Sequence, residues 1–190
     1  MSFDFWLRGM TILVFVAVRV YWYKAKFKSN SEKHKTQNKS LATEKIGIII
    51  SAFIIGISLL GFTPFTFENA TVQLLGFVLV ILGNIEAVLG RLALGNNWTE
   101  SYEYQIKKKH KLIFGGLYQY VRHPIYGGFM IAVTGAFIVA KTYLFIPLFF
   151  LQLVLMVKFA KREEKLLKNY FGGKYIAYMQ KTKMFIPFFF

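Results

Sequence analysis

Long apolar stretches bounded by polar residues dominate the pattern along this 190-residue chain. Three of them, 5–23, 46–62 and 71–90, come close to the roughly twenty residues with which an α-helix crosses the hydrocarbon core of a bilayer. The shorter stretches 125–140 and 143–159 are separated by only two residues, which predicts a tight helical hairpin that crosses the bilayer with local thinning or penetrates it in part. The pattern therefore predicts an all-α integral membrane protein with about five transmembrane helices.

Composition supports this interpretation, since 55% of the residues are hydrophobic and 18% are aromatic, which is too apolar for a soluble domain of this length. We expect a single membrane domain over 1–190, with three transmembrane helices in 1–90. The first stretch follows Asp4 rather than basic residues, and lysines come after it, so we expect a retained anchor and not a cleaved signal.

The distribution of positive charge predicts the orientation in the membrane. The formal net charge is +15, and 21 of the 24 basic residues lie in 24–45, 91–122 and 158–183, which fall on the same side of a five-helix arrangement. Because Lys and Arg in short loops stay preferentially in the cytoplasm, we expect the N-terminus outside and the C-terminus inside. The basic residues are interleaved with apolar stretches, so anionic membrane lipids are expected partners and nucleic acid is not.

Cysteine is absent, which excludes a disulfide and a thiolate nucleophile. Histidine occurs three times, at His34, His110 and His123, and no two of these have the close helical spacing of a metal site. We expect no bound metal.

The segment before the fourth stretch has the features of a helix start. In Arg122-His123-Pro124, the proline disfavours helix at the residue before it and suits the first helical turn, which sets His123 near the helix cap. A helix N-terminus with free N–H groups favours an anionic group such as a ligand carboxylate. The alternative is structural: His123 caps the helix and Arg122 extends to lipid phosphates.

Two adjacent acids lie where the fifth helix is expected to continue into the cytoplasm. Glu163 shares a helical side with apolar residues three, four and seven positions on, whereas Glu164 can pair with Lys168. We therefore expect Glu163 to face the bundle and Glu164 to face water. A carboxylate in apolar surroundings needs a partner, which is either a ligand's ammonium group or ribose hydroxyls, or Arg122 or Arg162 of this chain.

The third and fourth stretches carry two further features. Glu86 is a costly charge within an apolar helix and is expected to need an internal partner, although Arg91 lies five residues away, a poor helical spacing. A strip of small residues in the fourth stretch permits close contact between helices: Gly128, Ala132, Gly135 and Ala136.

An ordered series of motifs covers roughly residues 91–187. It runs Leu94-Gly-Asn-Asn-Trp98, His110-Lys-Leu-Ile113, Gly116-Leu-Tyr118, Arg122-His-Pro-Ile-Tyr126, Glu163-Glu164, and Phe171-Gly172 with Tyr175 and Tyr178. The series resembles the isoprenylcysteine carboxyl methyltransferase family and its phospholipid methyltransferase relatives. The resemblance implies an S-adenosylmethionine-dependent methyltransferase with a cytoplasmic cofactor pocket in 91–190. It implies these cofactor-binding residues and assigns no catalytic residue: His110, Lys111, Leu112, Ile113, Tyr118, His123, Pro124, Tyr126 and Glu163.

These implied roles make physical sense. Leu112 and Ile113 can sandwich an adenine ring, and Glu163 can accept hydrogen bonds from ribose hydroxyls or an ammonium group. His123 at a helix start can bind a carboxylate. Either implied tyrosine can place an electron-rich ring near the sulfonium.

Two departures from the family pattern bear on the substrate. Family members that methylate prenylcysteine carry Arg one turn before the Glu that matches Glu163, where this chain has Phe159, and a ligand position that is usually Gln matches Glu103. We expect a lipophilic small-molecule or lipid-modified acceptor that enters from the bilayer, methylated at a carboxyl group or at a lipid or amine. The alternatives are an NADPH-dependent membrane reductase of the sterol-reductase type, in which the basic run 107–111 holds the 2′-phosphate, and a non-enzymatic lipid-binding membrane protein.

Overall fold

The computed structural model describes residues 2–29, 40–98 and 110–187, and these form six α-helices and no β-strand. The helices are α1 (Phe3–Ser29), α2 (Ser40–Leu59), α3 (Ala70–Leu94), α4 (Pro124–Val139), α5 (Phe145–Phe171) and α6 (Gly173–Lys181). Short 3₁₀ turns occupy Gly95–Asn97 and Gly116–Gln119. The predicted all-α class is confirmed, and each predicted stretch lies mainly on one of the first five helices.

Helices α3 and α4 pack closely because glycine meets backbone across their interface. A Cβ atom built on Gly135 of α4 would lie 2.5 Å from the carbonyl oxygen of Gly76, and one built on Gly83 of α3 would lie 2.5 Å from the backbone nitrogen of Ala132. Only hydrogen fits at these points, which is how small residues bring helix axes together. The close contact predicted from the strip of small residues is confirmed, and glycines of α3 are its partners.

The end of the bundle that holds Asp4 is closed by a network of charges. Arg8 donates to Asp4 at 2.9 Å and to carbonyl oxygens at the ends of α2 and α4 at 3.1 and 3.2 Å. Lys141, in the turn between α4 and α5, lies 2.8 Å from Glu68 and 3.5 Å from Asp4. The predicted hairpin is present, and its turn meets the N-terminus and the α2–α3 loop, as expected if these segments share one face of a membrane.

At the opposite end of α3, Arg91 contacts the turn that follows the helix and the aromatic residues beside it. Its guanidinium donates to the carbonyl oxygen of Gly95 at 2.9 Å and lies 4.3 Å from the centre of the Trp98 ring, against which Trp22 of α1 also packs. Within the described part of the chain, Glu86 has no hydrogen bond or ion pair. The internal partner expected for Glu86 is therefore not found there, and Arg91 lies five residues on, a spacing at which two side chains of one helix do not face each other.

Large apolar side chains cover much of the outer surface of the helices. Phe53 of α2 and Leu151 of α5, for example, are exposed, and apolar surface of this extent is typical of lipid-facing helices. Among the described helices, Ala70–Leu94 alone is long and apolar enough to cross a membrane, while Ile49–Leu59 and Pro124–Val139 are shorter apolar segments. The number of five crossings stays a prediction.

Candidate active site

The segment before α4 is held in place by the chain that follows α6. The backbone N–H of Arg122 donates to the carbonyl oxygen of Lys183 at 2.8 Å, and that of His123 donates to Met184 at 3.0 Å. Pro124 is the first helical residue and His123 is the cap residue, so α4 starts where the sequence predicts. The His123 side chain makes no capping bond, which leaves it for contacts with α5.

A buried ion pair joins this segment to α5. The Nε of Arg122 donates to Oε1 of Glu164 at 2.6 Å, and Nε2 of His123 lies 3.3 Å from the same oxygen. Burial alone would raise the pKa of Glu164, but the hydrogen bonds from His123 and Arg122 outweigh it and hold the pKa below its ordinary value. A carboxylate accepts and does not donate, so Nε2 carries the proton in this contact.

The predicted orientation of the two acids is wrong. The buried side of the α5 extension runs through Ala160 and Glu164, whereas Glu163 is half-exposed and Tyr170, on its side of the helix, is exposed. Apolar spacing misled the prediction because the packed side is defined by a charged partner. Glu164 faces the bundle to meet Arg122, 42 residues earlier, and not to pair with Lys168.

Glu163 forms the accessible part of the same cluster. Its Oε2 accepts from the hydroxyl of Tyr126 at 2.9 Å and lies 3.6 Å from Nδ1 of His123, and its side chain is 40% exposed. The rings of His123 and Tyr126 are stacked, with centroids 5.4 Å apart. We call the following five residues the His123 cluster: Arg122, His123, Tyr126, Glu163 and Glu164. Glu163 is the carboxylate of this cluster that a ligand can reach.

Three tyrosines line the packed side of this region. Tyr178 donates from its hydroxyl to the carbonyl oxygen of Tyr118 at 2.7 Å, and Tyr118 and Tyr175 are buried. Burial, with the nearby Glu163 carboxylate, raises the pKa of Tyr118. Burial, with the Glu164 carboxylate next, likewise raises the pKa of Tyr175. These phenols stay neutral, so they contribute rings and hydroxyl groups but no charge.

The segment that begins at His110 lies at the far end of the α5 extension. The His110 ring packs against Phe171, with centroids 5.9 Å apart. Asn97 holds the segment, because its amide donates to the carbonyl oxygen of Lys111 at 3.0 Å and accepts from the Lys111 N–H at 3.1 Å. Since Phe171 follows Glu163 by eight residues, the two groups lie about 12 Å apart along the helix.

The predicted site residues therefore fall into two groups along one helix. The first group meets at the start of α4 and consists of His123, Pro124, Tyr126 and Glu163. Tyr118 lies close enough to this group for the charge of Glu163 to raise the pKa of the tyrosine. Leu112 and Ile113 are half-buried beside the second group. Glu103 and the lysines 107–109 lie outside the described residues.

Two contributors were missed by the sequence reasoning. Glu164 was predicted to face water. Its position directly after Glu163 was a signal that either acid could be the buried one. Phe185 is buried, and its ring lies 6.1 Å from that of His123. No sequence signal identified Phe185 as part of the site, since an apolar residue near a membrane helix fits a lipid-facing position equally well.

The class of protein follows from the segment that contains this cluster. Residues 71–174, which include all of α3 but its first residue, α4, α5 and the whole His123 cluster, match the phospholipid methyltransferase family. The chain belongs to this family. The resemblance drawn from the ordered motifs is confirmed.

Two individual proteins show which kind of methyltransferase the chain is similar to. The chain is similar to a probable protein-S-isoprenylcysteine O-methyltransferase of Oryza sativa subsp. japonica, with 35% identity over 120 residues, 62% of this chain and 62% of the relative. It is also similar to protein-S-isoprenylcysteine O-methyltransferase B of Arabidopsis thaliana, with 32% identity over 118 residues, 60% of this chain and 58% of the relative. The chain thus spans less than two thirds of the length of these relatives.

A solved structure supports the fold. The eukaryotic intramembrane Ras methyltransferase ICMT is similar with a TM-score of 0.70, and the match covers 97% of this chain and 67% of that chain at 22% identity. The likeness extends over α1 and α2 as well, whose sequences carried no recognisable motif. The arrangement of the helices is therefore shared with an intramembrane protein.

Proposed function

We propose that this chain is a single-domain, membrane-embedded methyltransferase that uses S-adenosylmethionine and methylates a lipophilic acceptor. The observation that carries the proposal is the accessible Glu163 carboxylate, fixed by Tyr126 beside His123, within the stretch that matches a methyltransferase family. The same match favours methyl transfer over the NADPH-dependent reductase and the lipid-binding protein.

The two groups of residues fit the two ends of S-adenosylmethionine, a nucleoside joined to an amino acid through a sulfonium. Glu163 can accept from an ammonium group or from ribose hydroxyls, and the N-terminus of α4 favours a carboxylate. His110 and Phe171 offer aromatic surface for an adenine. When it is bound, S-adenosylmethionine supplies an electrophilic methyl on its sulfonium. We propose that it is held by His110, Lys111, Leu112, Ile113, Tyr118, His123, Pro124, Tyr126 and Glu163.

The buried pair supports this site without touching a ligand. Glu164 fixes both Arg122 and the Nε2 side of the His123 ring, which turns Nδ1 toward Glu163. Positioning of this kind, with exclusion of water, accounts for much of the acceleration that a transfer between two bound groups needs. A carboxylate acceptor is already ionised and needs no general base.

The acceptor is proposed to be lipophilic and to enter from the bilayer. The exposed apolar surfaces of the helices support membrane insertion, and the charge distribution supports a cytoplasmic site with the N-terminus outside. Phe159 stands where a carboxylate-binding Arg is expected, so both a carboxylate and an amine acceptor are included in the test below.

Titration of the purified full chain with S-adenosylmethionine tests the cofactor site. We expect saturable binding that weakens about tenfold in Glu163→Gln, the effect of losing one hydrogen bond to a charged group. Glu68→Gln is the matched control, because Glu68 is an exposed carboxylate at the opposite end of the bundle, and it should bind as the wild type does. A folded wild type that does not bind would refute the proposal.

Methyl transfer itself needs a second assay. The purified chain is given labelled S-adenosylmethionine with prenylcysteine, phosphatidylethanolamine or a native lipid extract, in parallel. Label in one fraction identifies the acceptor class. Label in none of them, with cofactor binding intact, would contradict methyl transfer to a lipophilic acceptor.

A further inference from the structure

Tyr178 of α6 belongs to the ordered motif series but is not among the residues proposed to hold the cofactor. Its side chain is buried, and its hydroxyl donates to the backbone carbonyl oxygen of Tyr118 at 2.7 Å. Its ring also packs edge-on against that of Phe114, with centroids 5.3 Å apart. One side chain of α6 therefore contacts two residues of the segment that precedes α4.

These two contacts lie on either side of two adjacent glycines, Gly115 and Gly116, which we call the glycine joint. Gly116 has a φ of +62°, a conformation that residues with a side chain rarely adopt. In the described part of the chain, a Cβ atom on Gly115 would meet nothing within 4 Å, and one on Gly116 would lie 3.9 Å from the Cβ of Ala93. Close packing therefore does not hold the backbone of the joint, and glycine is the residue type with the most backbone freedom.

The glycine joint lies between the two groups of proposed cofactor-binding residues. The segment before it is held at Lys111 by two hydrogen bonds with Asn97, and the segment after it is hydrogen-bonded to the backbone of Lys183. Of the described helices, α6 alone donates a hydrogen bond to residues 112–119, and the donor is Tyr178. Tyr178 therefore holds the backbone across the joint, between two ends that are held separately.

A ligand that spans both groups gains from a fixed distance between them. S-adenosylmethionine joins a nucleoside to an amino acid, so the two groups must face it at the same time. If the joint moves in the free protein, ordering it on binding costs conformational entropy and lowers the affinity. A ligand that reaches only the nucleoside group does not require the joint to be ordered.

We propose that Tyr178 is a positioning residue for the cofactor site. Through Phe114 and Tyr118 it holds the glycine joint in one conformation, so that the nucleoside group at 110–113 and the amino-acid group around Glu163 face the same ligand. The role rests on the proposed function, the binding of S-adenosylmethionine, and it is exerted through the backbone of Tyr118.

Tyr178→Phe tests this role because it keeps the ring and removes only the hydroxyl. Isothermal titration of the purified full chain compares S-adenosylhomocysteine, which has both ends, with 5′-methylthioadenosine, which lacks the amino-acid end. We expect the affinity for S-adenosylhomocysteine to fall about fivefold, the effect of one neutral hydrogen bond, and that for 5′-methylthioadenosine to change by less than about twofold. Equal losses for the two ligands, as general damage to the fold would give, or no loss for either, would overturn the proposal.

Tyr120→Phe is the matched control. Tyr120 is an exposed tyrosine of the same segment, so this variant should bind both ligands as the wild type does. A wild type that binds neither ligand refutes the proposed function, whereas a wild type that binds both with the same affinities as Tyr178→Phe refutes only the role of Tyr178.

A second variant tests the joint itself. Gly115 has a φ of −91° and a ψ of 165°, which alanine adopts without strain. Adding Gly115→Ala to Tyr178→Phe restricts the loosened joint and should restore about twofold of the lost affinity for S-adenosylhomocysteine. No gain in affinity would contradict the role of the joint.

Discussion

Glu164→Gln tests whether a buried ion pair supports the candidate site, because it keeps the shape of the side chain and removes its charge. Arg122 and Glu164 are 9% and 6% exposed, with 2.6 Å between Nε and Oε1. Removing one partner of a buried pair costs about 3–5 kcal/mol. Gln retains an acceptor oxygen, and Arg122 keeps the carbonyl oxygens of Thr182 and Met179. We therefore expect a loss of about 2 kcal/mol, the value of one hydrogen bond to a charged group.

The sign of the pH dependence gives a second test of the same pair. The folded-state pKa of Glu164 lies below its ordinary value of 4.5. A carboxyl group of this kind stabilises the fold at pH values above the unfolded-state pKa, and the contribution is lost as the pH falls through the folded-state value. As the pH falls below about 4.5 and through the lower folded-state pKa, the wild type loses this stabilisation and the variant has none to lose, so the difference between them should shrink.

Thermal unfolding in detergent, followed by circular dichroism at neutral and acidic pH, measures both effects. At neutral pH we expect the Tm of Glu164→Gln to fall by about 4–8 °C. Glu163→Gln is the matched control, since Glu163 is half-exposed and should change stability by no more than about 0.5 kcal/mol while weakening cofactor binding. The reasoning is refuted if Glu163→Gln is the more destabilising variant, or if the gap for Glu164→Gln is constant with pH.

Three further predictions follow from the packing and the site. Gly83→Ala puts a methyl group 2.5 Å from the backbone of α4 and should cost about 1–3 kcal/mol in thermal unfolding, whereas Gly115→Ala, with nothing within 4 Å, should cost little; equal Tm values would contradict the close packing. Tyr126→Phe removes the hydroxyl 2.9 Å from the site carboxylate and should weaken S-adenosylmethionine binding about five- to tenfold by titration; unchanged affinity would remove Tyr126 from the site. Arg8→Ala removes four hydrogen bonds and should lower the free energy of unfolding by about 1–3 kcal/mol in denaturant titrations. Exposed Arg19→Ala should change it by less than about 0.5 kcal/mol, and equal effects of the two arginines would contradict the helix-end role of Arg8.

The first five helices could be predicted because long apolar stretches of this kind are typical of membrane helices. The start of α4 was predictable to the residue, since Pro124 restricts both itself and His123. The close contact of α3 with α4 could be predicted from one side only. The small residues of α4 were recognised, but Gly76 and Gly83 became meaningful only when the structure placed them opposite that strip.

The side-chain partners of the site were less predictable. Hydrophobic spacing ranks the sides of a helix by apolar content, and on α5 it selected Glu163 as the buried acid. Burial of a charge depends instead on a partner, and the partner of Glu164 is Arg122, 42 residues earlier in the chain. A single sequence gives no distance between two such positions. The residues of the cluster could be named from their motifs, but not the direction in which each acid faces.

The pairing of Arg122 bears on the chemistry of the acceptor. A carboxylate acceptor needs a cation beside it. This chain has Phe159 at the position where prenylcysteine-methylating members of the isoprenylcysteine carboxyl methyltransferase family carry Arg. Arg122 lies in the site, but its guanidinium is already bonded to Glu164 and to backbone carbonyl oxygens, so binding a second carboxylate would break a buried pair. A neutral amine acceptor needs no such cation, and it releases a proton when it is methylated. An amine acceptor therefore requires fewer changes in the described site than a carboxylate does, and the parallel assay with prenylcysteine and phosphatidylethanolamine compares the two directly.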